Sequence, residues 1–206
     1  FLDYNLGEQF KDIQAEGSAN NYSLQIVKTL PKIANISLST SFSLTHKKLL
    51  DQTSAGVSAD KTVDVVRIAL KFDDGKPGQN VNFGNVTLTR GNLDLSGNNT
   101  DLAMDKQTAN RHGNFDKIEY SLGRLQRLSE KNYLNVAITG QVAFDNLDSS
   151  EKMSLGGSSG VRAYPTGEGM GDTAAIFRTE LRHNFSNKWQ GIIFYDHGVT
   201  TLNNRT

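Results

Sequence analysis

The chain has 206 residues, of which 36% are hydrophobic and 19 are glycine, and its 22 Lys plus Arg balance 22 Asp plus Glu. A balanced charge removes the global field that draws a protein to nucleic acid or anionic lipid. The absence of cysteine excludes a disulfide scaffold, a thiolate zinc site and a cysteine nucleophile.

No run of about 18 apolar residues occurs, so no transmembrane helix is expected. The first residues, FLDYNLGEQF, lack the basic start and apolar stretch of a signal peptide. The predicted elements are strands, beginning with segments near 8–16 and 20–30 and a short turn, PKIA, at 31–34. Residues 34–46 alternate strictly, with Ile36, Leu38, Phe42 and Leu44 against Ser37, Ser39, Ser41 and Ser43. Such a segment is a strand that separates oil from water.

A long polar connection is predicted at 47–60, then a strand at 61–72, the medium connection KFDDGKPGQNVN, a strand at 82–95 and a second long connection at 96–113. Strands follow at 114–127 and 133–145, joined by SEK at 129–131. The latter sets Leu134, Val136, Ile138, Val142 and Phe144 against Asn135, Thr139, Gln141 and Asp145. A third long connection, 146–172, precedes strands at 174–185 and 189–199 joined by SNK at 186–188. In the first of these, Arg178, Glu180 and Arg182 fall on the polar face.

About nine strands are therefore expected, with short and long connections alternating. That is the signature of an up-and-down meander whose long loops all lie at one end, as in outer-membrane barrels. A soluble β-sandwich also alternates, because its inner face is apolar and its outer face polar. Period two by itself leaves both readings open.

The third connection is LGGSSGVRAYPTGEGMGD over residues 155–172, within a loop expected to carry no secondary structure of its own. A loop this long is either functional or mobile. Its glycines, Gly156, Gly157, Gly160, Gly167, Gly169 and Gly171, allow sharp bends, and Pro165 stiffens the chain. Val161 and Tyr164 flank Arg162, so the stretch reads as a folded tip presenting one cation. An enclosed guanidinium calls for a bidentate carboxylate. In the last strand Asp196 shares a face with Phe194 and Gln190, while Trp189, Ile193 and Tyr195 occupy the other.

These residues carry a resemblance. The loop, the strand TAAIFRTELRHNF and the FYDHG segment are similar to the outer-membrane transporters of two-partner secretion, the haemolysin secretion and activation (TpsB) family, most clearly over 114–199. The resemblance implies an all-β, antiparallel, up-and-down transmembrane barrel, of which this chain supplies about nine of sixteen strands. It implies an internal part of the barrel domain, with periplasmic POTRA modules and the final strands outside this chain. It also implies that the loop at about 146–172 folds back into the lumen, where its tip, Val161, Arg162, Ala163 and Tyr164, meets a wall motif of Phe194 and Asp196. Ala163 stands where the wider superfamily carries glycine. A positive φ there would strain alanine by roughly 1 kcal/mol.

Other constellations are weaker. GEGMGD at 167–172 resembles a nucleotide loop but is followed by a strand, not a helix. His46, His112, His183 and His197 lack metal-ligand spacing. Asp145, Asp148 and Glu151 lack the turn glycine and terminal glutamate of a calcium loop. No metal, cofactor, nucleotide or nucleic acid is expected, and no enzyme activity. The resemblance implies a protein-conducting pore in the bacterial outer membrane, in contact with its lipid. Its partner would be a TpsA-type exoprotein, a large β-helical haemolysin, adhesin or contact-dependent toxin, met in the periplasm and pore. The alternatives are a soluble β-sandwich carbohydrate-binding module, and a barrel-assembly factor or passive porin.

Overall fold

The computed structural model of the chain describes residues 2–5, 15–75 and 80–203. In chain order the strands are β1 (Leu2–Asn5), β2 (Glu16–Ile33), β3 (Ile36–Thr53), β4 (Gly56–Asp73), β5 (Val81–Asp94), β6 (Gly113–Arg127), β7 (Asn132–Ala143), β8 (Met153–Ser154), β9 (Met170–Gly171), β10 (Thr173–Asn184) and β11 (Gln190–Thr201). Nine of them form one antiparallel sheet in the order β1-β2-β3-β4-β5-β6-β7-β10-β11, while β8 and β9 pair separately. Every strand of the large sheet lies beside its sequence neighbour, apart from the excursion between β7 and β10. No helix of the described residues is long and apolar enough to cross a membrane.

The alternation sorts side chains between two faces of this sheet. One face is bare and apolar: Leu24, Ile68, Leu88, Leu181, Ile193 and Val199 are all more than 40% exposed. Neighbouring strands continue that surface in register, as in the row Phe42, Ile68, Leu88, Ile118 and Val142. The other face carries the hydroxyls and charges, including Ser23 bonded to Thr45 and Ser121 bonded to Thr139. The long loop packs on this second face.

The expected connection at 47–60 is not a loop. β3 and β4 extend 18 residues each and turn tightly, with Thr53 opposite Gly56. Alternation fades there because His46, Lys48, Asp60, Thr62 and Asp64 make the bare face polar while Lys47 and Lys61 make the opposite face polar too. The apolar Leu49 and Leu50 are adjacent, one on each face, so period two leaves no trace there. His46 and Asp64 pair across the strands, 2.7 Å apart, at the edge of the apolar field.

Elsewhere the connections match more closely. Residues 128–131 and 185–189 are short turns, and the turn expected at 31–34 sits at Ala34 and Asn35, with Ala34 at φ 53. The strand expected near 8–16 falls largely outside the described residues, as does part of KFDDGKPGQNVN. The connection at 96–113 holds a helix, α1 (Asn99–Gln107), capped by the Asn98 side chain, which accepts from the amides of Thr100 and Asp101. Within α1 the buried Asp105 carboxylate accepts from the backbone amides of Arg111 and His112, just past the helix, and from Arg111 Nε.

The loop between β7 and β10 is also more ordered than its composition suggests. It holds a 3-10 turn at Ser149–Glu151 and the β8–β9 ribbon. One hydrophobic cluster, Val63, Val65, Leu93, Phe115, Ala143 and Leu147, lies between the sheet and the start of this loop. A second joins Leu155 and Val161 of the loop to Ala174 and Ile176 of β10.

Candidate functional site: the long loop and its wall

The tip of the loop is built by close backbone approach. A Cβ on Gly156 would stand 1.9 Å from the carbonyl oxygen of Pro165, and one on Gly160 would stand 2.1 Å from that of Leu155. Only glycine fits at either point. The amide of Val161 donates to the Leu155 carbonyl at 2.7 Å, and that of Gly157 to Tyr164 at 3.2 Å, closing the tip on itself. Gly157, Gly167 and Gly169 take positive φ, Gly160 and Gly171 do not, and Gly171 lies in β9 against Thr200.

Val161 is 6% exposed and fits over Gly198 of β11, where an added Cβ would come within 2.9 Å of Val161 Cγ2. That apolar seat aims the next residue at the wall. Arg162 Nε donates to Asp196 Oδ2 at 2.7 Å, Nη2 to Asp196 Oδ1 at 2.8 Å, and the Arg162 amide to Asp196 Oδ2 at 3.2 Å. The guanidinium carbon lies 3.7 Å from the centre of the Phe194 ring. A planar cation is thus held edge-on by a carboxylate and face-on by an aromatic ring, a combination lysine cannot reproduce.

The structure therefore brings Val161, Arg162, Phe194 and Asp196 together. It places Ala163 and Tyr164 in an exposed turn, where the Tyr164 amide donates to the Val161 carbonyl at 3.1 Å. Ala163 carries no backbone strain, since the only non-glycine residues of positive φ among those described are Ala34 and Asn110.

Sequence reasoning missed a second acid. Arg162 Nη1 lies 2.9 Å from Glu180 Oε1, and the other oxygen of Glu180 accepts from Arg182 Nη2 at 2.5 Å and Nε at 3.0 Å. The alternating Arg178, Glu180 and Arg182 were visible on the polar face. Their partner was hidden because Arg162 arrives from another part of the chain.

It also missed the base of the loop. Glu151, 3% exposed, meets Lys47 of β3 at 2.6 Å, Lys117 of β6 at 3.1 Å and Arg67 of β4 at 3.2 Å. Gln141 of β7 donates to the Glu151 carbonyl at 3.2 Å. Asp148 accepts twice from Lys61 at 2.9 Å and lies 3.5 Å from Arg111. Burial disfavours ionisation of Asp148, and the Lys61 ammonium and the Ser150 amide outweigh it, holding the carboxyl below its ordinary value. Burial likewise opposes ionisation of Glu151, and Lys117, Lys47 and Arg67 together overcome it. The returning limb is fixed by Asp172, which accepts from the amides of Leu147 at 2.8 Å and Asn203 at 2.7 Å. Among the described residues no group of His, Asp and Glu is arranged to hold a metal ion.

This geometry coincides with a family assignment that spans the chain: residues 3–206 match the model of the haemolysin secretion/activation protein family ShlB/FhaC/HecB. The chain belongs to that family. It is 28% identical over 203 residues to the heme/hemopexin transporter protein HuxB of Haemophilus influenzae strain 86-028NP, covering 96% of this chain and 36% of HuxB. HuxB of strain Rd is 27% identical over 204 residues, again with 36% of its length covered. The chain thus spans about a third of these relatives. Two solved structures share its fold: CdiB from Escherichia coli, with a TM-score of 0.70, 19% identity and coverage of 84% of this chain and 32% of that one, and CdiB from Acinetobacter baumannii, with 0.71, 15%, 97% and 35%.

The ShlB/FhaC/HecB family is one of outer-membrane transporters of Gram-negative bacteria that serve two-partner secretion, and not one of enzymes. In that setting the bare apolar face of the sheet is the one that meets hydrocarbon. The hydroxyls, the charges and the loop lie on the opposite side.

Proposed function

We propose that the transporter containing this chain is an outer-membrane pore through which one exoprotein partner is secreted, and that its long loop is latched inside the pore by Arg162 on Asp196. The observation that supports it most directly is the threefold hold on Arg162 by the bidentate Asp196, by Glu180 and by the Phe194 ring. This chain forms an internal stretch of the barrel wall, with the face that bears the loop turned to the lumen.

Such a contact suits a gate. Charge-assisted hydrogen bonds of roughly 1.5–3 kcal/mol each fix the tip firmly, yet they are few and can be exchanged for water or for groups on a passing chain. The wall below the loop offers Ser39, Ser41, Ser43, Thr87 and Thr139, whose short hydroxyls give weak and replaceable contacts to an extended polypeptide. The partner is a large β-helical haemolysin, adhesin or contact-dependent toxin. The name of HuxB adds an exoprotein serving haem acquisition to the partners to be tested.

The test is secretion of the cognate partner by the full-length transporter. Arg162→Ala is expected to leave the barrel inserted, judged by heat-modifiable mobility, and to lower secretion sharply. The exchange Arg162→Asp with Asp196→Arg is expected to restore part of it. Normal secretion by Arg162→Ala would exclude the latch.

A further inference from the structure

The loop falls into two parts that are held to the wall by different means. Its stalk, residues 144–154 and 170–172, is pinned by buried charges: Glu151 reaches Lys47, Arg67 and Lys117, and Asp148 reaches Lys61 and Arg111. The limbs of the stalk are clasped to each other by the β8–β9 pairing and by Asp172 on the Leu147 amide. The tip, 155–169, reaches the wall through Arg162 and through the small apolar seat of Leu155 and Val161.

We infer that Glu151 and Asp148 are positioning residues for the gate: they hold the stalk on β3, β4 and β6 so that the tip alone detaches and returns to the same place. The inference rests on the latch reading, because it says which part of the latched loop moves. The physical contrast carries it. Glu151 is almost fully buried and has three cations from three separate strands, so freeing it leaves Lys47, Arg67 and Lys117 crowded together with their common counter-ion gone. Releasing the tip is milder. Glu180 keeps Arg182, and Arg178 stands directly across from Asp196 in register. The hinge falls where the ribbon ends, at Ser154 and Met170, next to Gly169 with its φ of 64.

The experiment uses the full-length transporter in outer membranes carrying Val161→Cys and Gly198→Cys, two positions that touch in the seated state. Their disulfide yield under mild oxidation reports how often the tip is seated, independently of secretion. Glu151→Gln and Asp148→Asn are each expected to lower that yield several-fold while heat-modifiable mobility stays unchanged. If Glu151→Gln fails to assemble, Lys47→Met, which leaves Arg67 and Lys117 on the carboxylate, is read in the same way. An unchanged yield in the assembled variants overturns the positioning role, whatever secretion does. A disulfide-locked tip that secretes normally overturns the moving latch instead, and is distinguishable because it requires neither stalk variant.

Discussion

At the scale of single residues, the tip depends on shape as much as on charge. Arg162→Lys keeps the cation but cannot span both oxygens of Asp196 while lying on Phe194, so it is expected to secrete at a level between wild type and Arg162→Ala in a quantitative secretion assay. Gly160 is a purely steric requirement. Gly160→Ala is expected to open the turn against the Leu155 carbonyl and to make residues 155–169 cleavable by external protease, with the barrel itself intact. Arg162 and Asp196 were legible in the sequence because an isolated guanidinium among glycines asks for an acid, Asp196 shares a face with Phe194, and the family resemblance pairs that motif with the tip. Glu180 was not, since Arg162 reaches it from the loop, and neither was Glu151, whose partners converge from three distant strands. A lysine such as Lys47 in HKKLL looks like any solvated charge until a loop is laid over it.

At the scale of elements, the strands were legible wherever one face meets oil and the other water. They vanished from view where charges fall on both faces, as in the stretches of β3 and β4 between Lys47 and Asp60. The order within the loop was hidden for another reason: the 3-10 turn and the β8–β9 ribbon are fixed by charges on other strands, not by local propensity. That attachment has a pH dependence. The Asp148 and Glu151 carboxyls titrate lower when seated than their ordinary values of 3.8 and 4.5. Their contribution is therefore complete above the ordinary carboxylate range and is lost as pH falls through it and below. Acidification from neutral to about pH 3 is expected to expose the stalk to protease, with little change between neutral and mildly alkaline conditions.

At the scale of the whole molecule, the sheet is a partition with hydrocarbon on one side. Leu88 and Ile68, 54% and 53% exposed, lie in its central apolar row. Leu88→Arg is expected to destabilise the folded barrel by about 2–4 kcal/mol, read from the urea midpoint in lipid, whereas Thr87→Arg on the opposite face changes it little. The order of the strands has a consequence for biogenesis. Because each strand hydrogen-bonds to its predecessor, the wall can grow one hairpin at a time, and β10 adds directly to β7 without threading anything through the excursion between them. The receptor for Glu151, however, is assembled from β3, β4 and β6, which must already be zipped together. On the proposed latch reading the loop is therefore seated last, after its socket exists, and a nascent barrel would pass through a stage in which the channel stands unstoppered.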